Sequence, residues 1–140
     1  MIAYLAHPVA ATADVDVATN ICRAESWLAW LVEHTDLAIC APWIPYVTAH
    51  SNNETPALRQ RGMRDDLAVL RRCDLFIAVG ARLSAGMAIE LIEARTHCLG
   101  IIDVTDLELV LPPTRDQPEF AIVVGRIAAV VARSQKWRRE

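Results

Sequence analysis

Two acids, Asp66 and Glu90, stand where a carboxylate could do chemistry. On a helical wheel at about 100° per residue, the segment around Asp66 turns Met63, Leu67 and Leu70 inward, and Asp66 falls between Leu70 and Val69. Its carboxylate is thus aimed into the covered side of the helix. There it must be ion-paired, protonated or bound to a ligand, because a lone buried charge is strongly disfavoured. An ion pair with Arg59 or Arg82 fits the pattern as well as a ligand-facing acid does. Glu90 lies one turn beyond Gly86 on the flank of an apolar arc, a spacing open to a cleft-facing acid and to a solvated one matched by Glu93. Two carboxylates on separate elements are what N-glycoside cleavage requires. One attacks a sugar carbon of oxocarbenium character, and the other gives the departing base a proton.

Around these acids lie residues of narrower use. Ser84 can cap a helix whose free N–H groups suit an anion or hydroxyl, and Gly86 removes a side chain where a ligand could approach. Arg82 is a candidate clamp for phosphate or carboxylate, or an exposed loop arginine. His7 could bond a sugar hydroxyl. Trp43 and Tyr46 could stack on a nucleobase, worth about 1 to 3 kcal/mol per base in single-strand binders, or could pack within their own loop. His34, His50 and His97 have no metal-ligand spacing and read as surface or capping residues, so no metal site and no cofactor is expected.

The elements that must position these residues alternate. Ile2 to Ala6 is a short apolar run stopped by Pro8; Asp14 to His34 has helical periodicity behind a capping aspartate; Leu37 to Ala41 is a second apolar run. Pro42, Pro45 and the polar stretch from His50 to Thr55 predict a long irregular loop with the character of a lid. Helices are expected over Pro56 to Arg72 and from Ser84 to Thr96, and strands over Asp74 to Val79 and Cys98 to Asp103. Asp106 to Glu119 reads as a loop, and a last helix ends in Lys136-Trp137-Arg138-Arg139. Continuously apolar strands separated by helices indicate a three-layer α/β sandwich of the Rossmann/flavodoxin-like kind, with a mainly parallel sheet of four or five strands. Ligands then sit beyond the strands' carboxyl ends, after residues 6, 41, 79 and 103.

Composition narrows the classes. The 140 residues, 54% of them hydrophobic, suit one domain spanning the whole chain. A net charge of −3 gives no basic field for duplex nucleic acid, and the Phe120 to Ala132 run, broken by Arg126, is too short to span a bilayer. Cys22, Cys40, Cys73 and Cys98 lack redox or zinc spacing and read as reduced, buried thiols. With no signal-like N-terminus, a cytoplasmic protein is expected. Trp27 and Trp30, three apart, and the apolar C-terminal helix suggest a subunit contact and a homodimer or higher homo-oligomer.

The block from Asp66 to Val79, followed by Ser84-Ala85-Gly86-Met87 and Glu90, resembles the nucleoside 2-deoxyribosyltransferase-like superfamily, as does Tyr4-Leu5-Ala6-His7-Pro8. The resemblance covers residues 2 to 104. It implies cleavage of the N-glycosidic bond of a nucleoside or nucleoside 5′-phosphate, by hydrolysis or base exchange. In that scheme Glu90 is the nucleophile, Asp66 serves the leaving base, Tyr4 orients Glu90, and Ser84, Gly86 and Met87 are on the substrate side. Ser84, where transferases commonly carry an acid, tilts the resemblance toward hydrolases. The first loop, His7-Pro8-Val9-Ala10, lacks the serine, arginine and glycines with which those hydrolases hold a 5′-phosphate. The competing reading is a nucleotide-sensing module that keeps the fold without turnover. A flavodoxin or receiver domain lacks support, because no phosphate loop or acidic cluster follows the first strand.

Overall fold

A computed structural model describes residues 1–50 and 53–137. Ser51 and Asn52 of the expected lid, and Arg138 and Arg139 of the C-terminal segment, lie outside them. The chain runs β1 (Ile2–Ala6), α1 (Val17–His34), β2 (Ala38–Cys40), α2 (Trp43–His50), α3 (Pro56–Leu70), β3 (Leu75–Ala78), α4 (Ala85–Thr96), β4 (Gly100–Asp103), a 3₁₀ turn (Thr105–Leu107) and α5 (Pro118–Trp137). Three helix starts are capped by side chains, that of α4 by the expected Ser84. Asp16, rather than Asp14, accepts the Thr19 N–H at 2.7 Å; Thr55 caps α3, with Pro56 in the first turn; Ser84 caps α4.

The four strands form one parallel sheet in the order β2-β1-β3-β4. Strand alternation sorts the side chains into two layers. Ala3, Leu5, Leu75 and Ile77 pack with Trp27, Trp30 and Leu31 of α1 and Val123, Ile127 and Val130 of α5. Tyr4, Ala6, Phe76 and Ala78 pack on the other face with Trp43 and Ile44 of α2, Leu70 of α3, and Met87 and Leu91 of α4. This is the expected Rossmann/flavodoxin-like three-layer architecture, and the sheet order reverses between β1 and β3, where such sheets open a crevice.

Several local expectations are corrected. The stretch after β2 holds α2 because Pro45 is its third residue, and a proline in the first turn removes no intrahelical bond. Trp27 is fully buried and Trp30 is 7% exposed, its indole N–H donating to the Pro113 carbonyl at 2.9 Å, so both belong to the chain's own core. All four cysteines are free thiols, but Cys22 and Cys98 are exposed rather than buried. Arg126, which interrupts the apolar C-terminal run, reaches back to the Asp103 carbonyl at 3.0 Å and to Asp106, tying α5 to the end of β4. Among the described residues no helix is long and apolar enough to cross a membrane.

Candidate active site

The α4 sequence places Glu90 one turn inside the helix, between Met87 and Leu91, both of which face the sheet. That position buries it: Glu90 is 7% exposed, whereas Glu93, three residues on, is partly exposed and pairs with Arg71 and His97. Tyr4, pointing from β1 to the same face, donates its hydroxyl to Glu90 Oε1 at 2.7 Å. Its ring lies parallel to that of Phe76, its register partner on β3, with centroids 6.3 Å apart. The phenol is therefore held by the sheet and the carboxylate by the helix, and each fixes the other.

Asp66 completes the group from α3. Its charge reaches Tyr4, Glu90 and Cys40 and pushes each toward its protonated form. Among the described residues no cation stands within ion-pair distance of it: Arg59 pairs with Glu54, Arg61 and Arg64 pair with Asp65, and Arg82 has no carboxylate partner. The ion-pair alternative for Asp66 is thus not what the fold builds. Burial raises Asp66 to about 7, with the neighbouring Asp65 charge adding to it. Burial likewise raises Glu90 to about 7, where the Tyr4 hydrogen bond favours the ionised form and the Asp66 charge opposes it. Burial and the two acids drive the Tyr4 phenol strongly upward, so it stays a donor. Two carboxyls that both change state near neutrality allow one to be ionised and the other protonated, the states that a nucleophile and an acid need.

Around this group the remaining candidates separate. Ser84 spends its hydroxyl on the α4 cap, accepting the Met87 N–H at 3.3 Å. Beside Gly86, a Cβ would meet only the terminal methyl of Met63, at 3.6 Å, so the approach to α4 is closed by the flexible end of one side chain. Met87 is 2% exposed and is a core residue, not a substrate contact. Trp43 is corrected in the same way. Its ring is buried, and its indole N–H donates to the Leu5 carbonyl at 2.8 Å, a group that β2 leaves unpaired because its ladder with β1 ends at Tyr4 and Cys40. Tyr46 donates its hydroxyl to the Leu58 carbonyl at 2.7 Å and lays its ring against Gly62, where an added Cβ would sit 2.8 Å from Cε1; it joins α2 to α3.

His7 and Arg82 fall elsewhere. They line a cavity of about 190 Å³ at the carboxyl ends of β1 and β3, with Pro8, Asn20, Arg23 and Val110. Neither Glu90 nor Asp66 lines it. Asn20 and Arg23 were not singled out by sequence, although Asn20, Ala24, Trp27 and Leu31 follow i, i+4, i+7, i+11 spacing, which puts a polar group on the inward stripe of α1. The Asn20 amide donates to the Val9 and Ala10 carbonyls, each at 3.2 Å, and so shapes the loop after β1. A larger hollow of about 400 Å³, lined by Trp30, His34, Pro113, Arg115 and Phe120, holds the single acid Glu33 and is remote from the paired carboxyls. Among the described residues no group of three or more His, Cys, Asp or Glu side chains is arranged to hold a metal. His34, His50 and His97 occupy helix C-terminal positions, where His34 and His97 bond the Trp30 and Glu93 carbonyls.

No curated protein and no solved structure matches the chain. The model of a domain of unknown function, DUF7768, matches residues 1–103, a stretch that includes Tyr4, Asp66 and Glu90 and ends with β4, and the chain belongs to that family.

Proposed function

We propose that this protein is an N-glycosidase acting on a nucleoside or nucleoside 5′-phosphate through Glu90, with water as the acceptor and a second base as the alternative one. The observation that carries the reading is the Glu90 carboxyl, buried and held by Tyr4 at 2.7 Å beside a second acid, Asp66, that has no counter-ion among the described residues. The resemblance of the Asp66–Val79 and Ser84–Glu90 blocks to the deoxyribosyltransferase-like superfamily supports it independently.

In the proposed reaction an ionised Glu90 oxygen bonds to C1′ as the C1′–N bond breaks. The electron pair of that bond leaves on the base nitrogen, which takes the proton of Asp66. Water then attacks C1′ of the glycosyl ester, gives its proton to the Asp66 carboxylate, and releases Glu90 as a carboxylate again. Tyr4 holds the attacking carboxylate in place and stabilises it when it departs. The burial that raises both acids to about 7 allows an ionised Glu90 beside a protonated Asp66 at neutral pH, which is the state the first step needs.

The test is release of free base, followed by chromatography, from a panel of ribo- and deoxyribonucleosides and their 5′-phosphates, with Glu90→Ala alongside. The expected result is base from at least one substrate and a loss of about two orders of magnitude or more in the variant. A second free base in the assay reports transfer. No base from any substrate, together with ligand-dependent thermal shifts, would replace the enzyme by a nucleotide-binding module.

A further inference from the structure

We propose that the crevice between the carboxyl ends of β1 and β3 is a binding site for a compact oxyanion that brings its own acidic hydrogen, the fitting species being hydrogenphosphate. This site is separate from the Glu90 group and does not depend on what Glu90 does.

Size comes first. The cavity, about 190 Å³, is below the ~300 Å³ at which pockets for whole drug-sized ligands begin, so its occupant is a small ion or one substituent of a larger molecule. Charge comes next. Arg23 from α1 and Arg82 from the β3–α4 loop both line the cavity, and among the described residues neither has a carboxylate within ion-pair distance. Two guanidiniums without counter-ions in one concavity present forked donors to an oxyanion.

The third group sets which oxyanion. His7 is 6% exposed and lines the same cavity. Its Nδ1 lies 2.7 Å from the Pro8 carbonyl oxygen, which only accepts, so Nδ1 carries the hydrogen. The ring is kept neutral chiefly by burial, with the Arg23 and Arg82 charges acting in the same direction against the Pro8 bond. Nε2 is then a bare lone pair, and it has no hydrogen-bond partner among the described residues. Gly80 keeps that edge of the ring clear. Its φ of +95° suits glycine, and a Cβ there would stand 3.2 Å from His7 Nε2 and 2.9 Å from Pro8 Cδ.

An anion entering this cavity meets two cations and one acceptor. Sulfate offers only acceptors and sets an oxygen lone pair against Nε2. Hydrogenphosphate turns its P–O–H toward Nε2 and its charged oxygens toward the arginines. A phosphate monoester has the same group but loses its last P–O–H above a pKa of about 6, so at pH 8 it behaves like sulfate.

Isothermal titration of the full chain at pH 8 with inorganic phosphate, sulfate and glycerol phosphate tests this. Phosphate should bind, with sulfate and glycerol phosphate about tenfold weaker or more, the effect of a buried acceptor left without a donor. Arg23→Ala and Arg82→Ala should each weaken phosphate about tenfold or more, as loss of a charge-assisted bond does. His7→Phe should bring phosphate down to the level of sulfate. Should His7→Phe not fold, imidazole ¹⁵N spectra of the unaltered protein give the same answer, because phosphate and not sulfate should shift the unprotonated Nε2 resonance. Equal affinity for phosphate and sulfate, a monoester bound as tightly as phosphate, or phosphate binding that neither arginine variant changes would each overturn the proposal.

Discussion

Replacing Glu90 by glutamine should make the protein more stable relative to the unaltered chain as the pH rises, and the size of the effect follows from the site. Burial and the Asp66 charge raise the folded Glu90 from 4.5 to about 7 against the pull of the Tyr4 bond. Below about pH 4.5 the carboxyl is protonated in both folded and unfolded chains, and its neutral form is accommodated. Between 4.5 and about 7 the unfolded chain releases the proton while the folded one still holds it, so folded-state stability declines with pH. At 1.36 kcal/mol per pH unit, the interval amounts to about 3 kcal/mol, a large part of the 5 to 15 kcal/mol typical of a domain. Glutamine has the same shape, accepts the Tyr4 hydroxyl and does not titrate. Its amide N–H₂ adds a constant cost in the pocket, which offsets the curve without tilting it. The quantity to measure is therefore the difference in unfolding free energy between Glu90→Gln and the unaltered chain, from urea titrations at pH 4, 5.5, 7 and 8. The expected difference grows in favour of the variant by about 3 kcal/mol from pH 4 to pH 8. Asp66 is present in both proteins, and its repulsion of Glu90 acts in the same direction. A difference that stays flat across this range, or that turns against the variant at pH 8, would mean that Glu90 is neither desolvated nor opposed by Asp66, and the reasoning about the acid pair would fail.

Two other substitutions probe its surroundings. Tyr4→Phe removes the donor that favours ionised Glu90, so the carboxyl should rise further above 7; urea unfolding at pH 8 should show a loss of about 1 to 3 kcal/mol, smaller at pH 5, and any base-releasing activity should move its acid limb to higher pH. Trp43→Phe leaves the Leu5 carbonyl without its indole donor and should cost about 1 to 3 kcal/mol of stability at every pH, read by thermal or urea unfolding, while leaving the preference among nucleobases unchanged; a changed base preference at unchanged stability would return Trp43 to the substrate.

The parallel α/β architecture was legible because its signals are periodic: four apolar runs, helical spacing between them, a proline at the start of α3 and a capping residue at Ser84. Asp66 was legible for a related reason, since a charge inside an apolar stripe is visible on a wheel. Glu90 was only half legible. Its angle on the helix admits either burial or solvent, and the decision is made by Tyr4 arriving from another element 86 residues away in sequence. What failed did so where tertiary partners override local signals. Pro42 and Pro45 read as loop residues, yet a proline in the first turn of α2 is permitted. For Trp43 and Tyr46 stacking on a base and packing within the loop both stayed open, because their acceptors, the Leu5 and Leu58 carbonyls, are set by strand and helix packing. Trp27 and Trp30 looked excessive for a small core, but α5 returns across the same sheet face and Trp30 finds the Pro113 carbonyl.

One strand feeds both sites, and its parity explains why they are distinct. Tyr4 and His7 are an odd number of residues apart, so the pleat sends the phenol to the α3/α4 face while the imidazole, beyond the strand's end, joins the α1 loop. Between them Ala6 is paired with Ala78, and the ladder is carried one bond further by the Val79 N–H on the Ala6 carbonyl at 3.0 Å. Two alanines stand side by side at the point where the sheet order reverses, and the extra bond brings Gly80 against His7. A one-residue slip of β1 against β3 would turn Tyr4 into the α1/α5 core and carry the Glu90 partner away. The pairing that fixes the acid cluster is thus the same pairing that fixes the histidine, so the register of β1 on β3 is the physical link between the two sites.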